Sequence, residues 1–426
     1  MIDDRTFREY CIKDCLATGL SLEGMIPDVK GLGAWNHYTR IIQPLTSIVL
    51  GMNRRGMVLD VSKRVQAEVD LTEKSDKVKV RIYEMLGREY NIRGNEIKDF
   101  FYKELGLKAG RSTGSFDKAA VAKLIHGYPE LEYLFKSIIE AKHLDHIRNS
   151  FIRGIVPNEH GLILPNYRIG PLTGRLSCKK PNFQNIPEGI ARELFIPRPG
   201  KVFIYIDYSN LEVRILAVLA EETEMLRVLA AGKDIHSYTA SMLFSVPEGI
   251  KETPLQRKIA KNVFFGIVSY GGSVEGIKER LDYELSHLSV KELRDLVDGY
   301  FTAHPMLKEY RGWIEKEFLS KRMLKNAFGR PRFFFGKPKD SIRQAYNYPI
   351  QSSAADLKNL KAIETDLMYP ETLVLDVHDS LMWEVDEDKA ERIEKELVAC
   401  MEAPIKEFGG YQFPVKSKIC KNWGEA

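Results

Sequence analysis

Only five cysteines occur among 426 residues. An odd number in a large chain argues against a disulfide framework and for a reducing compartment. Cys11 and Cys15 share one helical face, but no second pair accompanies them to complete a zinc site. No run of 18 apolar residues is present, so no membrane-spanning helix is expected. Repeats and low-complexity tracts are missing too, which excludes a solenoid or a collagen. The opening residues, Met1-Ile2-Asp3-Asp4-Arg5, have neither the basic start nor the apolar core of a signal peptide. Charge of one sign is also scarce, the net value being +4. What is there, 44% hydrophobic and 29% charged residues, is the composition of a globular protein long enough for two to four domains. A chain of this length buries enough surface to fold without metal or disulfide staples.

Because the net charge says little about partners, its distribution matters more. Lys142 to Lys180 holds seven Lys/Arg against two Asp/Glu, and Lys321 to Arg343 holds eight against one, while acidic residues gather between Glu384 and Glu396. Two basic stretches on a nearly neutral chain suit either a polyanion held in a groove or solvated helix faces. Residues 1–40 contain Pro27, Gly31 and Gly33 and read as a short leader. Residues 61–155 are helical by pattern, with a break at Gly110-Arg111-Ser112-Thr113-Gly114-Ser115 that could follow a phosphate backbone or simply connect helices. Val202-Phe203-Ile204-Tyr205-Ile206 reads as a buried strand ending at Asp207. Residues 211–350 read as largely helical. Leu373–Val377 and Leu381–Val385 then read as strands flanking His378-Asp379-Ser380, a hairpin with a carboxylate at its tip. The order is that of a sheet domain carrying two helical insertions.

Asp207 at a strand end and Asp379 in a tight turn are hard oxygen donors on rigid elements, as a pair of Mg²⁺ ions requires when bridging a transferring phosphoryl group. Ordinary turn chemistry also favours Asp at such positions. Between them, Arg257, Lys261 and Phe265 recur every four residues, lining one side of a helix. Two cations and an aromatic there could clamp a triphosphate and stack on a base, or could be the outer face and core residue of a plain amphipathic helix.

Taken together these segments resemble the family A DNA polymerases. Asp207-Tyr208-Ser209-Asn210-Leu211-Glu212-Val213-Arg214 is similar to the family's first palm motif, Arg257 to Gly266 to its nucleotide-binding fingers helix, and Val377-His378-Asp379 to its second palm motif. Thr173-Gly174-Arg175-Leu176-Ser177 with Pro181-Asn182-Phe183-Gln184-Asn185-Ile186-Pro187 also matches. Asp234-Ile235-His236, Arg343, Asn347, Gln351 and the closing Asn422-Trp423-Gly424-Glu425-Ala426 fall in register, so the resemblance covers residues 41 to 426. It implies an α+β, right-hand polymerase fold with an antiparallel-rich palm sheet and helical fingers and thumb. The expected divisions are an exonuclease-tail remnant and linker at 1–40, palm/thumb entry at 41–60, thumb at 61–155, palm at 156–216 and 341–426, and fingers at 217–340. The implied function is primer-dependent, template-directed DNA synthesis from dNTPs, with two Mg²⁺ ions (or Mn²⁺ in their place).

By the same resemblance Asp207, Asp379 and the Tyr208 carbonyl bind metal. Arg257, Lys261 and His236 hold the triphosphate, with Lys261 as the acid for the leaving group. Phe265 stacks near the incoming sugar and base. Glu212 is the steric gate against ribonucleotides. Arg175, Gln351, Asn347, Arg343, Asn182, Gln184, Asn185 and His378 meet primer–template DNA. Three departures stand out. Ser380 follows Asp379 where the family has Glu. Ser269 occupies the family's fingers Tyr position, with Tyr270 one residue late, so either residue could fill it. Tyr10 and Asp14 are similar to the last motif of a proofreading exonuclease without its other ligands, so no intrinsic proofreading is expected. A separate 3′–5′ exonuclease chain or a replication helicase is an expected partner, a membrane is not, and the cytoplasm of a bacterial or phage-infected cell, or an organellar matrix, is the expected location. The rivals are a single-subunit RNA polymerase or reverse transcriptase on the same hand, and a catalytically silent DNA-binding relative.

Overall fold

A computed structural model describes residues 4–108, 116, 118–246, 251–281, 285 and 288–426. The Gly110–Ser115 segment lies outside the described residues. The chain opens with helix α1 (Asp4–Gly31), which contains Pro27 and buries none of its residues. Most of the segment expected as a short leader is therefore one helix, which continues through Pro27.

Helix α2 (Gln43–Arg55) is amphipathic, burying Leu45, Ile48, Val49 and Met52. Strand β1 (Met57–Leu59) leads into α3 (Val61–Leu86), which starts where the Asp60 carboxylate accepts the Lys63 amide and stops at left-handed Gly87. Helix α4 (Glu132–Ile147) packs along α3. Phe101, Phe135, Ile138 and Val121 join Val78 and Ile82 in a core separate from the main one. Strands β2 (Leu162–Ile163), β3 (Asn166–Ile169), β4 (Leu176–Lys179) and β5 (Phe195–Ile196) follow: β1 pairs with β2 and β5, and β3 with β4.

The central sheet begins with β6 (Lys201–Tyr208). After it come α5 (Leu211–Leu219), α6 (Ile235–Phe244), α7 (Pro254–Val263) and α8 (Pro305–Lys321). A short hairpin of β7 (Met323–Lys325) and β8 (Pro331–Phe333) interrupts the helical stretch expected over 211–350. Three-residue strands carry too little apolar pattern to stand out from a helical surround. Helix α9 (Pro338–Met368) runs for 31 residues and holds Pro349 in its interior. Strands β9 (Leu373–Val377) and β10 (Ser380–Asp386), helix α10 (Ala390–Met401) and strand β11 (Val415–Cys420) close the chain.

The sheet order is β11-β6-β10-β9, antiparallel throughout. Strand β9 is buried at every position and β10 at all but its last, which is why both read as continuous apolar runs instead of alternating ones. Helix α10 covers β6, β10 and β11. One large core joins this sheet to α2, α5, α6 and α7. The expected divisions at 216/217 and 340/341 fall inside α5 and the first turn of α9, so continuous helices cross them. Among the described residues no helix is long and apolar enough to cross a membrane.

Candidate active site

Strand pairing fixes the two carboxylates. Asp207, next to last on β6, lies opposite Ser380 of β10 and Lys416 of β11. Asp379 occupies the two-residue turn between β9 and β10, where His378 takes φ 51°, and its carbonyl accepts the Tyr208 amide at 3.3 Å. Both acids thus sit at one end of the sheet. Burial, and then the neighbouring Asp379, push the Asp207 carboxyl up to about 6, with Lys416 and Lys358 acting in the opposite direction. Crowded carboxylates with an all-oxygen donor set fit hard divalent cations, and no group of three or more His, Cys, Asp and Glu that could hold a metal exists among the described residues. The Ser380 hydroxyl, across the turn from Val377, donates to the Val377 carbonyl at 2.7 Å.

Glu212 begins α5 and is clamped. One carboxylate oxygen pairs with Arg175, and the other accepts the Tyr270 hydroxyl at 2.6 Å. Its side chain is 10% exposed, and burial raises its pKa against the pull of Arg175. Arg175 also lies 3.9 Å from Asp379. A polar chain therefore runs from the catalytic turn to the helical insertion.

Tyr270 reaches Glu212 because the helix changes its winding. α7 gives way to a π-helical segment, Phe264–Ser269, and the Tyr270 amide bonds the Phe265 carbonyl at 3.1 Å. The wider turn absorbs one residue and brings Tyr270 to the site while Ser269 is buried, so Tyr270 is the residue placed there. It also means that Phe265 lies beyond the α-helix of Arg257 and Lys261 instead of continuing its face. Gly271 closes the segment at φ +63°, where a Cβ would stand 2.2 Å from the Tyr346 ring.

Arg257 is exposed on α7 and bound to Asp234 at 2.7 Å through Nε and 2.5 Å through Nη2. Asp234 meanwhile caps α6, accepting the His236 amide at 2.8 Å. Lys261 is exposed one turn beyond Arg257. His236 fits its expected place poorly. Its side chain is buried against the Phe264 and Phe265 rings, and burial, the largest cause, drops its pKa to about 4. A buried, neutral imidazole can offer a hydrogen bond to a triphosphate but not a charge.

Arg343, Asn347 and Gln351 lie four apart on α9 and share a face. Arg343, Gln344 and Asn347 line a cleft of about 390 Å³ with Tyr270 and Gly272. Asn182 and Asn185 are exposed around a short turn, and His378 is exposed beside Asp379. Gln184, half-buried in the same turn, donates its amide to the Leu176 carbonyl at 3.0 Å and toward Asp376 at 3.4 Å. Sequence reading also missed a buried pair beneath the catalytic turn. Lys358 on α9 contacts Asp376 at 2.7 Å and donates to the His378 carbonyl at 2.6 Å. The signal was present, a lysine within an otherwise apolar-faced helix and an aspartate inside the strand Leu373-Val374-Leu375-Asp376-Val377.

The sequence profile of DNA polymerase family A matches residues 62–425. DNA polymerase I of Geobacillus stearothermophilus is 29% identical over 428 residues, covering 95% of this chain and 48% of that protein. DNA polymerase I of Bacillus caldotenax is 31% identical over 389 residues, covering 85% and 43%. The thermostable DNA polymerase I of Thermus thermophilus is 29% identical over 381 residues, covering 84% and 44%. The chain thus spans about half the length of the curated relatives it matches. The POL domain of Pol1 from M. smegmatis, in complex with DNA primer-template and dNTP, shares the fold with a TM-score of 0.82 at 22% identity, over 94% of this chain and 73% of that one. An antiparallel sheet with two carboxylates at one end, flanked by helical masses, is thereby placed in the right-hand polymerase class. The chain belongs to DNA polymerase family A.

Proposed function

We propose that this chain performs template-directed, primer-dependent DNA synthesis from dNTPs. The observation that carries the reading is the convergence of Asp207 and Asp379 at one end of the β6–β10 pair, beside the clamped Glu212. The M. smegmatis neighbour, bound to primer-template and dNTP, supports it. In this reading the thumb is residues 61–155, the palm 156–216 and 341–426, and the fingers 217–340.

Asp207, Asp379 and the Tyr208 carbonyl would hold divalent ions, Mg²⁺ by their oxygen chemistry, with Mn²⁺ able to substitute. When bound, such ions supply a more acidic primer hydroxyl and neutralise charge on the transferring phosphoryl group. The protein contributes positioning. Arg257 and Lys261 would hold the triphosphate, Arg257 exchanging Asp234 for phosphate, and Lys261 would deliver a proton to the leaving group. Phe265 would stack beside the sugar. Glu212, fixed on both oxygens, would exclude a 2′-hydroxyl. Arg175 and Gln351 would read the minor groove of the new pair, where acceptors are common to all base pairs, and Arg343, Asn347, Asn182, Asn185 and His378 would guide the strands. Synthesis is proposed to proceed without proofreading by these residues, with a 3′–5′ exonuclease and a helicase as proposed partners.

Primer extension on a DNA template with Mg²⁺ tests the reading. Extension with dNTPs, little with rNTPs and none in Asp379→Ala is the expected result. Tight, salt-sensitive primer–template binding without extension would instead favour a silent DNA-binding relative. Loss of a labelled 3′ end in the absence of nucleotides, surviving substitution of Asp207 and Asp379, would overturn the statement on proofreading.

A further inference from the structure

The β7–β8 hairpin presents an aromatic face that the proposed chemistry does not use. Strand alternation sends Phe334 into a small core with Phe318 and Tyr348, and turns its neighbours outward, Phe333 44% and Phe335 85% exposed. The exposed pair is not on a loose loop. Phe334 donates its amide to the Arg322 carbonyl at 2.9 Å, and the Arg322 guanidinium returns to the Gly336 carbonyl at 2.8 Å, so the backbone around Phe335 is tied down on both sides.

The surroundings say what such a face would meet. Lys337, Lys339 and Arg343 follow on exposed positions, and Asp340 is the sole acid between Lys321 and Arg343. Arg332 bonds Gln344, which lines the cleft shared by Tyr270, Arg343 and Asn347. Arg332 packs on Phe334, on the opposite side of the strand from Phe333, so the hairpin that carries the exposed rings adjoins the active-site cleft without its exposed face being continuous with it. Two phenyl rings on an ordered edge, rimmed by cations, match the chemistry of unpaired nucleic acid, whose bases stack and whose phosphates seek positive charge. A protein partner for an apolar face would gain little from such a one-signed rim.

We infer that Phe333 and Phe335 form a stacking platform for the unpaired template strand ahead of the insertion site. The inference rests on the polymerase reading, and its test separates the two. Affinity of the full chain would be measured for primer–template duplexes carrying a 5′ template overhang of one nucleotide or of about ten, and for a free single strand of about ten. The platform predicts that the long overhang binds more tightly than the short one by roughly 5- to 150-fold, the range of one stacked base. Phe333→Ala/Phe335→Ala should abolish that difference and weaken single-strand binding, whereas Phe335→Trp should keep it, with indole fluorescence quenched by the overhang. An overhang effect of equal size in the wild type and the double variant would overturn the inference, as would an unchanged overhang effect accompanied by a shift from dimer to monomer, which would make the face a contact between copies. If the wild type incorporates no nucleotide on the short overhang, the polymerase reading fails by itself, while the single-strand arm still decides the platform.

Discussion

At the residue scale, Glu212 shows how a common side chain acquires a specific task. In the first turn of α5 a glutamate needs no explanation beyond the helix dipole. Here both oxygens are occupied, by Arg175 and by the Tyr270 hydroxyl, and the side chain is largely buried. In the proposed role, a carboxylate held on both oxygens would not rotate away from a ribose 2′-hydroxyl. Glu212→Ala is expected to raise the rNTP/dNTP ratio of kcat/KM by roughly two orders of magnitude, while lowering dNTP incorporation because Arg175 loses its partner. Tyr270→Phe removes one tether and should relax the ratio less. An unchanged ratio in Glu212→Ala would remove the gate from this position. The glutamate and its motif were legible in the sequence. Its two partners were not, because contacts spanning 37 and 58 residues are made by the tertiary fold, and the second also depends on the register of a π-helical turn.

At the scale of elements, the hairpin that carries Asp379 was readable because β9 and β10 are apolar runs closed by a two-residue turn. What fixes that turn was not. Lys358 and Asp376 are both almost fully buried, the lysine bridging α9 to the His378 carbonyl and the aspartate reaching toward Gln184 below β4. Removing one member of a buried ion pair strands the other, at a cost on the order of 3–5 kcal/mol, whereas replacing both by apolar side chains is often neutral. Lys358→Met is therefore expected to destabilise strongly, and Lys358→Met/Asp376→Leu to recover most of that loss. The double variant still leaves the His378 carbonyl without its donor. If the pair positions the turn, its kcat should remain about tenfold low with primer–template affinity unchanged, and full activity at full stability would reduce the pair to packing. The β7–β8 hairpin was likewise hidden, by strand length, and so was the reach of α1: its Tyr10–Cys15 stretch reads as helical, but Pro27 reads as a break although the helix continues through it to Gly31.

At the scale of the whole molecule, stability toward acid is concentrated in a few buried groups that join distant segments. Asp356 on α9 is completely buried and accepts from His37 at 2.9 Å, Asn326 at 2.7 Å and Arg330 at 2.9 and 2.7 Å, tying the start of the chain to the β7–β8 turn. Burial would raise its pKa, but the hydrogen bonds and charges of Arg330 and His37 outweigh it and hold the carboxyl below its ordinary value. A depressed carboxyl stabilises the fold above its unfolded pKa of about 4 and ceases to do so as pH falls through the folded value. His236, lowered to about 4, acts with the same sign from a higher starting point. The unfolded imidazole takes up a proton near pH 6.5 and the folded one does not, so stability begins to fall below about 6.5 and continues down to about 4. Asp207, raised to about 6, acts with the opposite sign over the same range, so the test is a comparison of variants. In urea unfolding followed from about pH 8 to about pH 3, the wild type should lose on the order of 1–3 kcal/mol more than His236→Phe between about pH 6.5 and 4, with a further loss below about pH 4 that is reduced in a variant replacing Asp356 with Asn. The separate core around Phe101 and Phe135 contains neither group. Hydrogen exchange on lowering the pH should accordingly rise first around α6 and α7, where His236 packs on Phe264 and Phe265. It should rise around the α3–α4 pair only at lower pH, where Asp145, its carboxyl held down against burial by Ser75, Lys79 and Arg148, takes up its proton. Uniform loss of protection across both cores would mean that the two unfold as one unit, and that neither buried group sets the acid limit locally.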